Sequence, residues 1–194
     1  LLAFVGGISA LIALLVWFLV RLSKEELDDV SKLISNGMIL LIFFAIIMAL
    51  LVASLNSGSN GNCYYIGNNT DAVLIDAGIS CRETEKRIKK LGLSMKTVKA
   101  VFVSHEHGDH IKGVSTLANR YSLPVYITPK TAMQGPKLIR HLSKTFTSNE
   151  PVAIGELTII PFTKQHDAID PYSFVVQYKG ITVGIFTDIG IACK

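Results

Sequence analysis

The stretch that decides the reading is Val98-Lys99-Ala100-Val101-Phe102-Val103, followed at once by Ser104-His105-Glu106-His107-Gly108-Asp109-His110. The first part is short, apolar and rich in β-branched residues, which predicts a buried strand. The second sets three imidazoles and two carboxylates within six residues. Gly108 allows a sharp turn, and Asp109 can open a helix that Ile111, Val114, Leu117 and Ala118 continue at helical spacing. Side chains of an extended segment alternate, so His105 and His107 share one face while Asp109 and His110 turn to another. Two faces suit two ions. Neutral imidazole and carboxylate are ligands for zinc or a similar borderline divalent metal, and a catalytic site keeps one position open for water. Of the five histidines in the chain three stand here, and His166 is a fourth candidate, leaving only His141 unassigned.

Outward from this loop the pattern is regular. Cys63 to Ile66 and Ala72 to Ile75 read as a hairpin around Asn68-Asn69-Thr70. Ser80-Cys81-Arg82-Glu83 caps a helix with Ile88 and Leu91 on its apolar side, stopped by Gly92. A short strand is expected at Val125 to Thr128 and a Pro-interrupted helical stretch from Lys130 to Leu142. Strands follow at Leu157 to Phe162, Ser173 to Tyr178 and Ile181 to Thr187, the last two joined by a Lys179-Gly180 turn. Asp76, His166 and Asp188 then lie where strands end or just beyond, as residues of a site built on a rigid edge should.

The 194 residues suit one domain with additions, and a net charge of +4 permits a nucleic-acid partner without requiring one. Cys63, Cys81 and Cys193 form no C-x-x-C pair and are odd in number, which argues against a disulfide framework and fits a reducing compartment. The mean hydropathy of +0.42 reflects the N-terminus. Leu1 to Val20 carries no charge and Gly37 to Leu55 is nearly as apolar, each close to the ~20 residues that cross a bilayer as a helix. Ser23-Lys24-Glu25-Glu26 opens a charged helix between them, ended by Asn36-Gly37. The expected organisation is therefore residues 1–54 as two hydrophobic, membrane-spanning helices with a charged linker, and 55–194 as the catalytic domain. Ala49 to Asn56 also reads as the opening strand of that domain, and residues in hydrocarbon cannot also pair in a soluble sheet, so either the second span ends near Ala49 or the N-terminal piece is a fusion or gene-model artefact. The basic residues Arg21, Lys24 and Lys32 would hold the linker in the cytoplasm and the enzyme outside, against the reduced-cysteine reading. Leu1 in place of Met implies an incomplete or processed N-terminus.

The strand-closing H-x-H-x-D-H resembles the metal motif of the metallo-β-lactamase-fold hydrolases. Ser57-Gly58-Ser59-Asn60-Gly61-Asn62-Cys63-Tyr64-Tyr65, Leu74-Ile75-Asp76-Ala77-Gly78, His166-Asp167-Ala168 and Thr187-Asp188-Ile189-Gly190 together resemble the bacterial WalJ/YycJ-type exonuclease subgroup of that family. The resemblance runs from about Leu55 to the end. It implies an α/β (α+β) architecture, an αββα sandwich, and a cytoplasmic, metal-dependent phosphodiesterase or exonuclease that attacks DNA with a metal-activated water. It implies two Zn2+ ions, or Mn2+ in their place. His105, His107 and His166 would hold the first ion and Asp109, His110 and Asp188 the second, with Asp188 shared. Asp76 would orient ligands without being one, and Asp109 would also accept the water's proton. Asp76 and Asp109 are thus the expected catalytic residues. The family pattern has a further histidine after the bridging aspartate, with no counterpart before Lys194, so the fold is expected to be truncated at its C-terminus and the second site weak.

The same ligands would serve a thioesterase or a lactamase. An inert, membrane-anchored metal-binding fragment is the reading from another class. Two surface features bear on the partner. The Ser57 to Asn62 loop reads either as a phosphate-binding nest or as a plain hairpin loop. Lys86, Arg87, Lys89 and Lys90 read either as a face that tracks a DNA backbone or as a solvated helix face.

Overall fold

In the computed structural model, which describes residues 50–189, the apolar runs form two packed sheets. The first runs β1 (Leu51–Asn56), β2 (Cys63–Gly67), β3 (Ala72–Ile75), β4 (Val98–Phe102), β5 (Val125–Tyr126), β6 (Ser143–Lys144), in that spatial order. β1 to β3 pair antiparallel, β3 to β6 parallel. The second sheet holds β7 (Val152–Ile154), β8 (Leu157–Thr163), β9 (Tyr172–Tyr178) and β10 (Ile181–Ile185), all antiparallel. Parallel neighbours need crossovers. These carry α1 (Cys81–Lys90), α2 (Gly108–Ile111), α3 (Val114–Tyr121) and α4 (Pro129–Gln134).

Burial follows the alternation of the strands. Leu74 of β3 packs with Ile88 of α1 and Leu117 of α3, while Val73 and Ile75 face the second sheet with Phe102, Ile159 and Phe174. A strand buried on both faces reads as a continuous apolar run, as β3 does. In β4 the alternation slips: Ala72 pairs with Val98 but Val73 with Ala100, so Lys99 bulges out exposed and the residues after it keep their apolar faces. Phe102 stacks on Tyr126 at 4.5 Å and meets Phe174 edge-on at 5.6 Å, sealing the two sheets.

Local chemistry explains the ends of the elements. Ser80 Oγ accepts from the Glu83 N–H at 3.3 Å to cap α1, and Gly92 takes the positive φ beyond it. Asn68 Oδ1 accepts from the N–H groups of Thr70 and Asp71, closing the β2–β3 turn. Lys179 and Gly180 both have positive φ, the backbone a tight two-residue hairpin between β9 and β10 requires.

Four expectations change. Residues 51–54 belong to edge strand β1, so the second apolar run does not continue as a helix to Leu55. The rest of the expected hairpin, residues 1–49, lies outside the described residues, and no helix among those described is long and apolar enough to cross a membrane. The helix expected from Lys130 to Leu142 stops at Gln134, before Gly135-Pro136. Leu91, expected on the apolar side of α1, is exposed. In place of one helix after the His-rich loop there are two, α2 and α3, which Gly113 separates. All four helices add to the core on the first sheet. Among the described residues the sandwich therefore has α, β and β layers, and no helix covers the outer face of the second sheet.

The carboxyl ends of β3 and β4 lie at one edge because these strands are parallel neighbours. β8 and β10 flank β9 and so run in the same direction as each other. The Tyr172 N–H donates to Ser104 O at 2.9 Å and ties the two sheets together at this edge.

Candidate metal centre

Asp76 directly follows β3, is fully buried, and has a φ of 60°. A non-glycine residue in this region is strained and persists where its surroundings over-determine it. Its Oδ1 accepts from the Ser104 N–H at 2.7 Å. Its Oδ2 accepts from Ser104 Oγ at 2.7 Å and meets His110 Nδ1 at 2.7 Å. With Nδ1 facing a carboxylate, His110 turns Nε2 the other way. There it lies 2.6 Å from Asp188 Oδ2 and 2.9 Å from Asn62 Nδ2. Burial disfavours the charged ring, but the Asp76 hydrogen bond and the carboxylates of Asp76, Asp188 and Asp109 outweigh it and raise the His110 pKa.

Two groups of ligand atoms converge: His105, His107 and His166, and His105, His110 and Asp188, each set lying within 4.8 Å of one another. His105 Nε2 stands 3.1 Å from His107 Nδ1 and 3.6 Å from Asp188 Oδ2. The His166 ring centroid is 4.7 Å from that of His105 and 5.1 Å from that of His107. Burial, then neighbouring His110, Lys164, His107 and His166, push the His105 pKa down to about 2. Its ring is therefore neutral, as a metal ligand must be. His166 Nε2 is buried without a hydrogen-bond partner. Imidazoles crowded together, one with an orphaned nitrogen, are costly unless a cation satisfies them, so this donor set fits divalent metal. His105 belongs to both groups, and one oxygen of Asp188, Oδ2, is the atom that approaches both His105 and His110. Asp188 also has positive φ, 48°. Asp109 stands further off, with Oδ2 3.6 Å from His110 Nε2 and accepting from Asn62 Nδ2 at 3.2 Å.

Several residues to which the sequence reading gave no role hold this arrangement. Ser104 links Asp76 to both rings, its Oγ 2.9 Å from His105 Nδ1 and 3.3 Å from His110 Nδ1. Glu106 Oε1 accepts from the Ile169 N–H at 2.9 Å, joining the His-rich loop to the loop of His166. Gly78 is needed because a Cβ there would stand 1.6 Å from the Asp109 carbonyl oxygen. In the Ser57 to Asn62 loop, the N–H groups of Gly58, Gly61 and Asn62 donate to Asn62 Oδ1, Gly58 O and Asp109 O. Of the two readings of this loop, three N–H groups bonded within the protein favour the plain hairpin loop over the phosphate nest, and the loop braces Asp109. Arg87 is likewise a strut: its Nη1 donates to Leu55 O at 2.6 Å and Asn56 Oδ1 at 2.7 Å, tying α1 to β1.

A helix-backed sandwich of two sheets, with imidazoles and carboxylates gathered at the strand ends, defines a class of metal-dependent hydrolases. The chain belongs to the Metallo-beta-lactamase superfamily, whose family model matches residues 57–187. It is 34% identical over 147 residues to Exodeoxyribonuclease YycJ of Bacillus anthracis, covering 74% of this chain and 56% of that protein. It is 31% identical over 144 residues to Exodeoxyribonuclease WalJ of Streptococcus pneumoniae serotype 2, covering 70% and 53%. The chain thus spans about half the length of the curated relatives it matches. A metallo-beta-lactamase of Cronobacter sakazakii shares the fold at a TM-score of 0.59 and 18% identity, over 68% of this chain and 59% of that one.

Proposed function

We propose that the chain carries the catalytic site of a metal-dependent phosphodiesterase that degrades DNA in the cytoplasm. The observation that supports this most is the convergence of His105, His107 and His166 with His110 and Asp188 at one sheet edge, in a chain similar to proteins named exodeoxyribonucleases. His105, His107 and His166 would hold one divalent ion, His110, Asp188 and Asp109 a second, with Asp188 common to both. Zinc suits these donors, and manganese is the alternative. Bound ions supply Lewis acidity, which makes water a nucleophile near neutral pH and draws charge from a phosphodiester.

The chain's own groups do the rest. Asp76 accepts from His110 Nδ1–H and so keeps Nε2 as the ligating atom. Ser104, bonded to Asp76 through both backbone and hydroxyl, fixes the start of the motif loop behind the rings. Asp109, half-exposed and steadied by Asn62, would be the carboxylate that takes a proton from water beside His110.

The test incubates the chain with end-labelled single- and double-stranded DNA, a thioester and a cephalosporin, each with and without chelator. DNA is expected to be shortened, with activity lost to chelator and restored by added divalent ion. Turnover of the thioester or the cephalosporin with DNA untouched would contradict the reading.

A further inference from the structure

Lys164 follows β8 directly and stands two residues before His166, yet it is only 8% exposed. Its backbone N–H donates to Pro171 O at 3.1 Å and so closes the base of the loop that carries His166. Its ammonium enters the protein and donates to Thr187 O at 2.5 Å and Thr187 Oγ1 at 3.2 Å. Among the described residues no carboxylate lies within ion-pair distance of it. A buried amine without a paired charge is expensive, and a methionine would fill the same space with no polar group to satisfy. The position thus calls for more than packing.

Thr187 gives the reason. It is buried, follows the end of β10, and passes the chain to Asp188, whose backbone has φ 48°. A non-glycine residue at positive φ persists where its surroundings over-determine it, and the Thr187 carbonyl held by Nζ belongs to the peptide that precedes Asp188. The amine also sits within the field of the Asp76 and Asp188 carboxylates, while burial lowers its own pKa.

We propose that Lys164 is a positioning residue of the metal centre: by donating from Nζ to Thr187 it holds the turn that aims Asp188 at His110, and couples that turn to the loop of His166. The proposal rests on the reading of the cluster as a two-ion site. Lys164 belongs to neither group of ligand atoms and touches no reacting atom.

The test compares wild type, Lys164→Met and Thr187→Val as whole chains. Zn2+ affinities are measured by competition with a chromophoric chelator, and the Co2+-loaded proteins are compared by visible absorption. Lys164→Met is expected to weaken both ions, because Asp188 is common to them, and the one held with His110 by about 10- to 100-fold, the range for losing a residue that supports a ligand. The Co2+ spectrum is expected to shift with it. Thr187→Val, which keeps the carbonyl, is expected to stay within about threefold of wild type, since only the longer of the two bonds is lost. Should Lys164→Met fail to fold, Lys164→Gln, uncharged and too short to reach both acceptors, serves in its place with the same expectation. Unchanged affinity for both ions in a folded variant, with or without a lowered melting temperature, overturns the proposal. A wild-type chain that binds no divalent ion overturns the two-ion reading itself, and this inference with it.

Discussion

His107 leaves the motif loop half-buried and contributes to one ligand group only. His107→Ala removes a ligand without opening a core, so loss of function and loss of fold separate. Metal-dependent activity is expected to fall more than about 100-fold, beyond the usual cost of losing a supporting residue. The melting temperature measured in chelator is expected to move by no more than about 2–4 °C, the shift that 1 kcal/mol produces in a domain of this size. Retained activity would remove His107 from the site. At this scale the sequence is most legible where chemistry is local. His105, His107, Asp109 and His110 stand within six residues and announce themselves. Asn62 and Asp109 meet across 47 residues, and Lys164 and Thr187 across 23. Each contact exists only once its own sheet has formed, the first at the end of the six-stranded sheet and the second at the end of the four-stranded one, so no spacing in the chain foretells them.

Among the elements, α1 shows how a charged face acquires a meaning its sequence does not specify. Lys86 pairs with Glu83 at 3.6 Å, and Arg87 spends its guanidinium on β1. Arg87→Ala is expected to destabilise the fold by about 1–2 kcal/mol, allowing for the partial exposure of the side chain. It should leave the salt dependence of DNA binding unchanged, because a phosphate contact would lower that slope by about one. Urea unfolding and binding at graded salt distinguish the two roles, and a lowered slope with unaltered stability would favour the reading of Arg87 as a phosphate contact to the proposed DNA substrate. Strands such as β3 and β4 were readable from their β-branched runs. β1 was ambiguous because hydropathy alone does not separate a buried helix segment from a strand. β6 is two exposed residues, Ser143 and Lys144, paired only through backbone, and carries no pattern to read.

For the whole molecule, the superfamily was legible because its metal motif closes a strand and its partners end other strands. The sandwich of sheets with helices outside was legible with it, but strand order in the second sheet and the gathering of every described helix onto the first were not, since they depend on which faces pack together. That packing brings the ends of β3, β4, β8 and β10 to a common edge, and function is placed where the two sheets meet. The central claim is that this edge holds two divalent ions. Anomalous scattering at the zinc edge, from crystals of the chain grown with Zn2+, tests it most directly. Two peaks are expected, one against His105, His107 and His166 and the other against His110 and Asp188. Peaks elsewhere, or none with His166 and Asp188 turned away from His105, would contradict the account.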